Sequence, residues 1–255
     1  RMHPTTKKIL NKGNQYNLDI YKGNSNDLDD FYKTMIETAK REGIIQSSLN
    51  YYKQFYEIFN KDNMSDIYIV KANIKKLLSA FELKIKDVSN LIDKLNENSG
   101  NIEKNKNKIN DLTNQLNKLN KDLLEIKKIK EDEVVLSSII TVKYKDMVWT
   151  VHGGNNSILM NLNANYICYY TIMKDAYDEG YKVLDCFGTC GIANPEKSNP
   201  IYGIHSFKKR LGGEYTEFIG EFDYVYNKFL YITFNFLTKV YRKIYRIKNK
   251  KISNQ

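Results

Sequence analysis

The sequence has few of the residues on which motif chemistry usually rests. Its 255 residues hold three cysteines, three histidines, three prolines and one tryptophan. An odd set of three cysteines excludes a disulfide framework. Cys186 and Cys190 form a C-x-x-x-C pair without a second ligand pair, so they read as structural rather than as a zinc site. The histidines, His3, His152 and His205, are too widely spaced for a metal motif, and His205 reads as a satisfied surface residue. Neither a nucleophile elbow nor a Walker loop occurs. No metal and no cofactor is therefore expected. No run of 18 apolar residues exists, so no segment can span a bilayer as a helix, and a soluble chain is expected. No signal-peptide core follows Arg1.

What is abundant is lysine. The formal charge of +10 implies an anionic partner such as nucleic acid, phospholipid headgroups or a pyrophosphate-bearing substrate. The length allows one or two domains with a sizeable core. Residues 26–40 carry Leu28, Phe31, Met35 and Ile36 at helical spacing, with Asp27 near the start. Residues 48–60 form a second helical pattern rich in aromatics, whose period marks Tyr51, Tyr52, Phe55, Tyr56 and Phe59 as core rather than as a base-stacking platform. Residues 66–71 read as a strand.

From residue 73 to 132 the composition changes to Lys, Asn, acidic residues, Leu and Ile. Leu78, Phe81, Ile85, Val88, Ile92 and Leu95 alternate steps of three and four. A second series runs Ile102, Ile109, Leu112, Leu116, Leu119, Leu123 and Ile126, with a polar gap at Asn105. The break at Asn98-Ser99-Gly100 lies midway, which predicts an antiparallel helical hairpin. Thirteen Lys stand against ten acidic residues there, a net of +3 that is too balanced to mark a nucleic-acid grip by charge. Strand patterns return at 134–143 and 147–152, so the hairpin is an insertion between neighbouring strands. A helix over 165–179 and a strand over 181–187 follow. Strands and helices alternating around one sheet give an α/β or α+β fold class.

Residues 200–223 carry the densest signal. Phe207 precedes Lys208 and Lys209, the pair Gly212-Gly213 follows, and residues 215–222 alternate as a half-buried strand would. A lysine beside an aromatic and a tight turn can set a fixed positive charge where an oxyanion develops; the plainer reading is a solvated face. Residues 227–251 form a basic amphipathic pattern with seven Lys/Arg and no acid over 239–251. Such a segment suits an anionic bilayer. Its early part is expected to pack on the sheet and its late part to stay free.

Tyr202-Gly203-Ile204, Phe207-Lys208, Gly212-Gly213-Glu214 and Ile219-Gly220-Glu221-Phe222-Asp223 together resemble the C-terminal signature of the Fem (FemABX-like) aminoacyltransferases, which build peptidoglycan cross-bridges. Further pieces follow in the family's order. Asp27-Leu28-Asp29-Asp30-Phe31-Tyr32 with Thr38 and Arg41-Glu42-Gly43-Ile44 is similar to its helix motif. So are Gly153-Gly154 with Asn165-Tyr166, Asp185-Cys186-Phe187-Gly188, and the opening His3-Pro4-Thr5-Thr6-Lys7-Lys8.

The resemblance implies a GNAT-like acyltransferase lobe with an inserted antiparallel coiled coil, corresponding to the second of the family's two lobes. The chain is accordingly expected to be part of a longer protein, with the substrate groove between lobes. Residues 1–72 would open the lobe, 73–132 form the arm, 133–238 complete the lobe and 239–255 form a basic tail. The implied reaction moves an amino acid from aminoacyl-tRNA to the stem peptide of a peptidoglycan precursor, lipid II or UDP-MurNAc-pentapeptide, in the cytoplasm at the inner face of the membrane. Lys208 matches the family lysine that stabilises the oxyanion, and Phe207 shapes its channel. Thr6 and Lys8 stand where the family holds precursor phosphates, Lys replacing the usual Arg. His152, where a Tyr is common, and Asn165, Tyr166 and Tyr202 fall at substrate-binding positions, and Met160 stands where a basic residue is usual. The arm would bear on tRNA or mediate self-association, and residues 239–251 would touch an anionic membrane. The rival classes are an acyl-CoA-dependent acetyltransferase, for which no glycine-rich pyrophosphate loop is evident, and a non-catalytic coiled-coil interaction protein.

Overall fold

The computed structural model describes residues 2–97, 102–220 and 222–252, side chains at 12, 14, 102–104 and 245–252 excepted. The elements run α1 (Pro4–Asn14), β1 (Asp19–Gly23), α2 (Leu28–Glu42), α3 (Leu49–Asn60), β2 (Ser65–Asn73), α4 (Ile74–Glu97), α5 (Ile102–Lys127), β3 (Glu133–Tyr144), β4 (Met147–Asn155), α6 (Ala164–Asp178), β5 (Val183–Asp185), α7 (Tyr202–Leu211) and α8 (Lys228–Ile252). Five strands form one sheet in sequence order. The first four pair antiparallel and β5 pairs parallel to β4.

Strand alternation sorts the core onto two faces. Tyr68, Val70 and Ala72 of β2 point to the cluster that holds Ala164, Cys168 and Ile172 of α6. Ile67 and Ile69 point the other way, against Leu28, Phe31 and Met35 of α2 and Tyr52 and Tyr56 of α3. In β3 the parity changes. Val134 and Leu136 share the α6 face with Ile139, because the register slips opposite Val70 and Lys71. A bulge of this kind turns a strand without breaking its pairing.

The expected hairpin is present as α4 and α5, inserted between the paired strands β2 and β3. Its ends meet where the Ile74 amide donates to the Asp132 carbonyl, 2.9 Å away. Leu77, Phe81, Val88, Leu119 and Ile126 are buried along its seam, flanked by Leu78, Ile85, Ile92, Leu112, Leu116 and Leu123. At the root, Phe81 stacks on Tyr16 with ring centroids 4.7 Å apart, so the arm grows out of the lobe's own core. The turn at Asn98-Ser99-Gly100 lies outside the described residues.

Three expectations are corrected. The strand over 181–187 shortens to the three residues of β5. Residues 215–220 form no strand, and Phe218 and Ile219 stand exposed, the latter at 91%; Glu221 of that motif lies outside the described residues. Alternation needs both a pairing edge and a face to cover, and among the described residues this segment has neither. Nor does the start of α8 pack on the sheet, for Phe229 is 76% exposed and Leu230, Phe234 and Leu237 are exposed with it. Both faces are already covered, one by α2 and α3, the other by α6 and the arm's root.

Candidate active site

The end of α7 is fixed by its sequence. Gly212 adopts a left-handed φ of 99°, the conformation that glycine tolerates at a helix C-terminus. Its amide donates to the Lys209 carbonyl at 3.0 Å, and the Gly213 amide donates to the Lys208 carbonyl at 3.1 Å. The Arg210 carbonyl accepts from the His3 amide at 3.0 Å and from the Thr6 hydroxyl at 2.9 Å. Thr6 is wholly buried in this role. It ties the start of α1 to the end of α7 instead of presenting its hydroxyl to a ligand.

With its last turn held, α7 sets Phe207 and Lys208 on the β5 side. Phe207 packs edge-on against Tyr166 and Tyr169 of α6, at centroid distances of 4.7 and 5.1 Å. Tyr166 is buried by this contact, so the pair joins two helices. Lys208 is half-buried and reaches past the end of β5. Its Nζ donates to the Phe187 carbonyl at 3.1 Å and to the Gly188 carbonyl at 2.5 Å. Burial lowers its pKa, while nearby Cys186 and Asp185 oppose that shift. An ammonium has three N–H donors; two are occupied and one remains for an incoming oxygen.

Lys209 is separated from this arrangement. It lines a cavity of about 360 Å³ with His3, Tyr202, His205 and Arg210. His205 is buried, with Nδ1 3.2 Å from the Thr189 hydroxyl, which corrects its reading as a surface residue. Asn165 is half-buried beside Tyr166 on α6, and Lys8 and Met160 are exposed. Thus Thr6 ties α1 to α7 and Phe207 ties α7 to Tyr166 of α6, beside Lys208, whereas Tyr202 lines the cavity on the side of Lys209.

His152 does not join it. On β4 it faces α3, with its ring edge-on to Tyr51, Tyr52 and Phe55 at 5.9, 5.0 and 4.9 Å. Its Nε2 is buried without a hydrogen-bond partner, and burial lowers its pKa. The unfolded chain binds a proton more readily than the folded one, so His152 weakens the fold as pH drops below its ordinary value of about 6.5. Thermal melts between about pH 7 and about pH 5 should show a steeper loss in the wild type than in His152→Phe. Parallel losses would remove His152 as a source of acid sensitivity.

Sequence reasoning missed the carbonyl pair that holds Lys208. Backbone acceptors carry no side-chain signature, and only the Asp185-Cys186-Phe187-Gly188 string marks their place. Two further motif residues, Thr38 and Arg41, bond to the backbone of β4. Thr38 exchanges hydrogen bonds with the Asn155 backbone, accepting from the amide at 2.8 Å and donating to the carbonyl at 3.2 Å, and Arg41 donates to the same carbonyl.

The model of the FemAB family matches residues 1–239. The lipid II:glycine glycyltransferase of Staphylococcus haemolyticus (strain JCSC1435) is 26% identical over 217 residues, covering 83% of this chain and 51% of the relative. That of Staphylococcus aureus (strain USA300) is 27% identical over 211 residues, covering 80% and 50%. The chain thus spans about half the length of these relatives. The crystal structure of FemX superposes with a TM-score of 0.63 at 23% identity, over 91% of this chain and 59% of that one. Fold, motif order and family match agree: the chain belongs to the FemAB family.

Proposed function

We propose that this chain is the second lobe of an aminoacyltransferase that moves an amino acid from aminoacyl-tRNA to the stem peptide of a peptidoglycan precursor. The observation that carries this reading is the Lys208 ammonium, half-buried and held by two carbonyls with one N–H left over. The stem-peptide amine attacks the ester carbonyl, and the negative charge collects on that carbonyl oxygen. Lys208 donates its remaining N–H to the oxyanion. As the C–N bond completes, the ester C–O bond breaks, and the proton lost by the amine ends on the departing ribose oxygen. The rest of the catalysis is positioning. The names of the relatives, lipid II:glycine glycyltransferases, support lipid II as the acceptor over free UDP-MurNAc-pentapeptide and glycine as the residue transferred.

Aminoacyl-tRNA would supply the donor. The balanced charge of the arm and its exposed Leu83, Leu91 and Leu124 favour self-association over a phosphate grip there. Among the described residues no helix is long and apolar enough to cross a membrane. Instead α8 sets exposed Leu230, Phe234, Leu237 and Ile244 on one side and Lys239, Arg242 and Lys243 on the other. That division suits an interfacial helix on anionic lipid at the cytoplasmic face, each charge contributing about 1 kcal/mol. The intact protein should float with vesicles containing phosphatidylglycerol and not with phosphatidylcholine alone, and reversing Lys239, Arg242 and Lys243 to Glu should abolish flotation. Equal binding to both vesicles would remove the electrostatic contact.

The reaction is tested by supplying the intact polypeptide with a panel of aminoacylated tRNAs and lipid-linked precursor, and following label into the stem peptide. Transfer from glycyl-tRNA is expected. Folded protein that transfers from no member of the panel would overturn the reading.

A further inference from the structure

The segment that holds Lys208 has an unusual backbone. Phe187 lies in the left-handed region at φ 65°, where a bulky residue is seldom found. Its amide donates to the Asp185 carboxylate at 2.6 Å, closing a turn over Cys186. The residue is 57% exposed, so no close packing of the ring accounts for the conformation. The turn has one clear consequence, for the carbonyls of Phe187 and Gly188 are the two that accept from Lys208. Conformations of this kind persist where the surroundings enforce them and cluster at functional sites.

We infer that Asp185 and Phe187 are positioning residues, whose left-handed turn builds the carbonyl cradle that aims the Lys208 ammonium. The inference rests on the aminoacyl-transfer reading for its catalytic meaning, though the cradle itself is a property of the fold. Asp185 acts twice: it pins the Phe187 amide, and its charge stands near the ammonium. Cys186 is the other titratable group near Lys208 on this strand end, and from α6 Tyr169 lies across Phe207. Phe187 acts through its backbone alone.

This division makes opposite demands on paired variants of the intact polypeptide. Phe187→Gly admits the left-handed turn without steric cost and should lose far less kcat than Phe187→Val. Phe187→Val places a β-branched residue where φ is positive, turns the carbonyls away and should lower kcat by about 10- to 100-fold with KM unchanged. Asp185→Ala should behave like Phe187→Val. Asp185→Asn keeps an acceptor for the Phe187 amide and should restore most of kcat. It also removes a charge that favours the ammonium, so the alkaline limb of the pH–rate profile should move to lower pH. A merely structural Asp185 would not shift that limb. If both Phe187 variants lose kcat alike, or if Asp185→Ala folds and turns over normally, the inference is wrong.

A second readout separates this inference from the reaction itself. With ¹⁵Nζ-labelled lysine incorporated, the Lys208 resonance should titrate below the other lysines in wild type and Phe187→Gly. In Phe187→Val the half-buried ammonium loses its two carbonyl acceptors, so its resonance should titrate lower still. That pattern without any transfer activity would retain the cradle and discard the reaction; transfer with an unmoved resonance would do the reverse.

Discussion

Replacing Lys208 with alanine in the intact protein is expected to lower kcat for aminoacyl transfer about 100-fold or more, the scale of losing one oxyanion donor, or about 2.7 kcal/mol. KM for either substrate should stay near its wild-type value, because the third N–H meets charge that exists only during reaction. Lys209→Ala is the control. It shares the helix and the charge, but it lines the cavity with His3 and Arg210. Its kcat should remain close to wild type. Single-turnover assays with preloaded tRNA distinguish the outcomes, since they isolate the chemical step from product release. Equal losses in both variants would point to a general electrostatic effect. Folded Lys208→Ala with normal single-turnover rates would remove the lysine from the chemistry.

Much of the fold was legible because its signals are periodic. The arm's apolar positions repeat at heptad spacing, and Leu78, Phe81, Ile85, Val88, Ile92, Leu112, Leu116, Leu119, Leu123 and Ile126 line its seam. The helices α2 and α3 were readable from the same kind of stripe, and Ser48 accepts from the Tyr51 amide at the start of α3 as its residue type suggests. Where period failed, a partner was missing. Residues 215–220 alternate like a strand, yet alternation cannot say whether an edge is available to pair with. For α8 the apolar stripe was plain, but a stripe does not name what covers it.

The site was legible only in outline. The family motifs mark Thr6, Phe207 and Tyr166 no less than Lys208, and a motif does not distinguish a residue that meets substrate from one that fixes a helix. Thr6 closes the end of α7, Phe207 clamps α6, and Lys208 keeps a donor beyond the two carbonyls that hold it. His152 differs for another reason. Its neighbours in sequence, Gly153 and Gly154, continue β4, but strand alternation turns its ring toward α3. The carbonyls of Phe187 and Gly188 had no signal in residue type at all.

Gly154 shows how firmly one of these motif positions is set by packing, and Gly154→Ala is expected to destabilise the lobe by about 3 kcal/mol. A Cβ there would lie 2.5 Å from the Thr34 carbonyl carbon and 2.6 Å from both the Met35 amide nitrogen and the Thr34 hydroxyl. The first two are backbone atoms of α2, so relief requires the helix to move. That movement would disturb the Thr34–Ser138 hydroxyl contact of 2.5 Å and the seating of Phe31 and Met35. At Gly13, by contrast, an added Cβ meets the flexible end of Ile167. Gly203 near the start of α7 meets nothing within 4 Å, so Gly203→Ala should leave the fold unchanged or stabilise it by up to about 1 kcal/mol through helix propensity. Thermal melts should therefore lower Tm by roughly 6–12 °C for Gly154→Ala and leave Gly203→Ala level or higher. The two glycines stand in equally motif-like strings, so a common response would mean that backbone flexibility governs both. A divided response assigns Gly154 to the close approach of β4 and α2, where the strand carries no side chain because the helix backbone already fills that space.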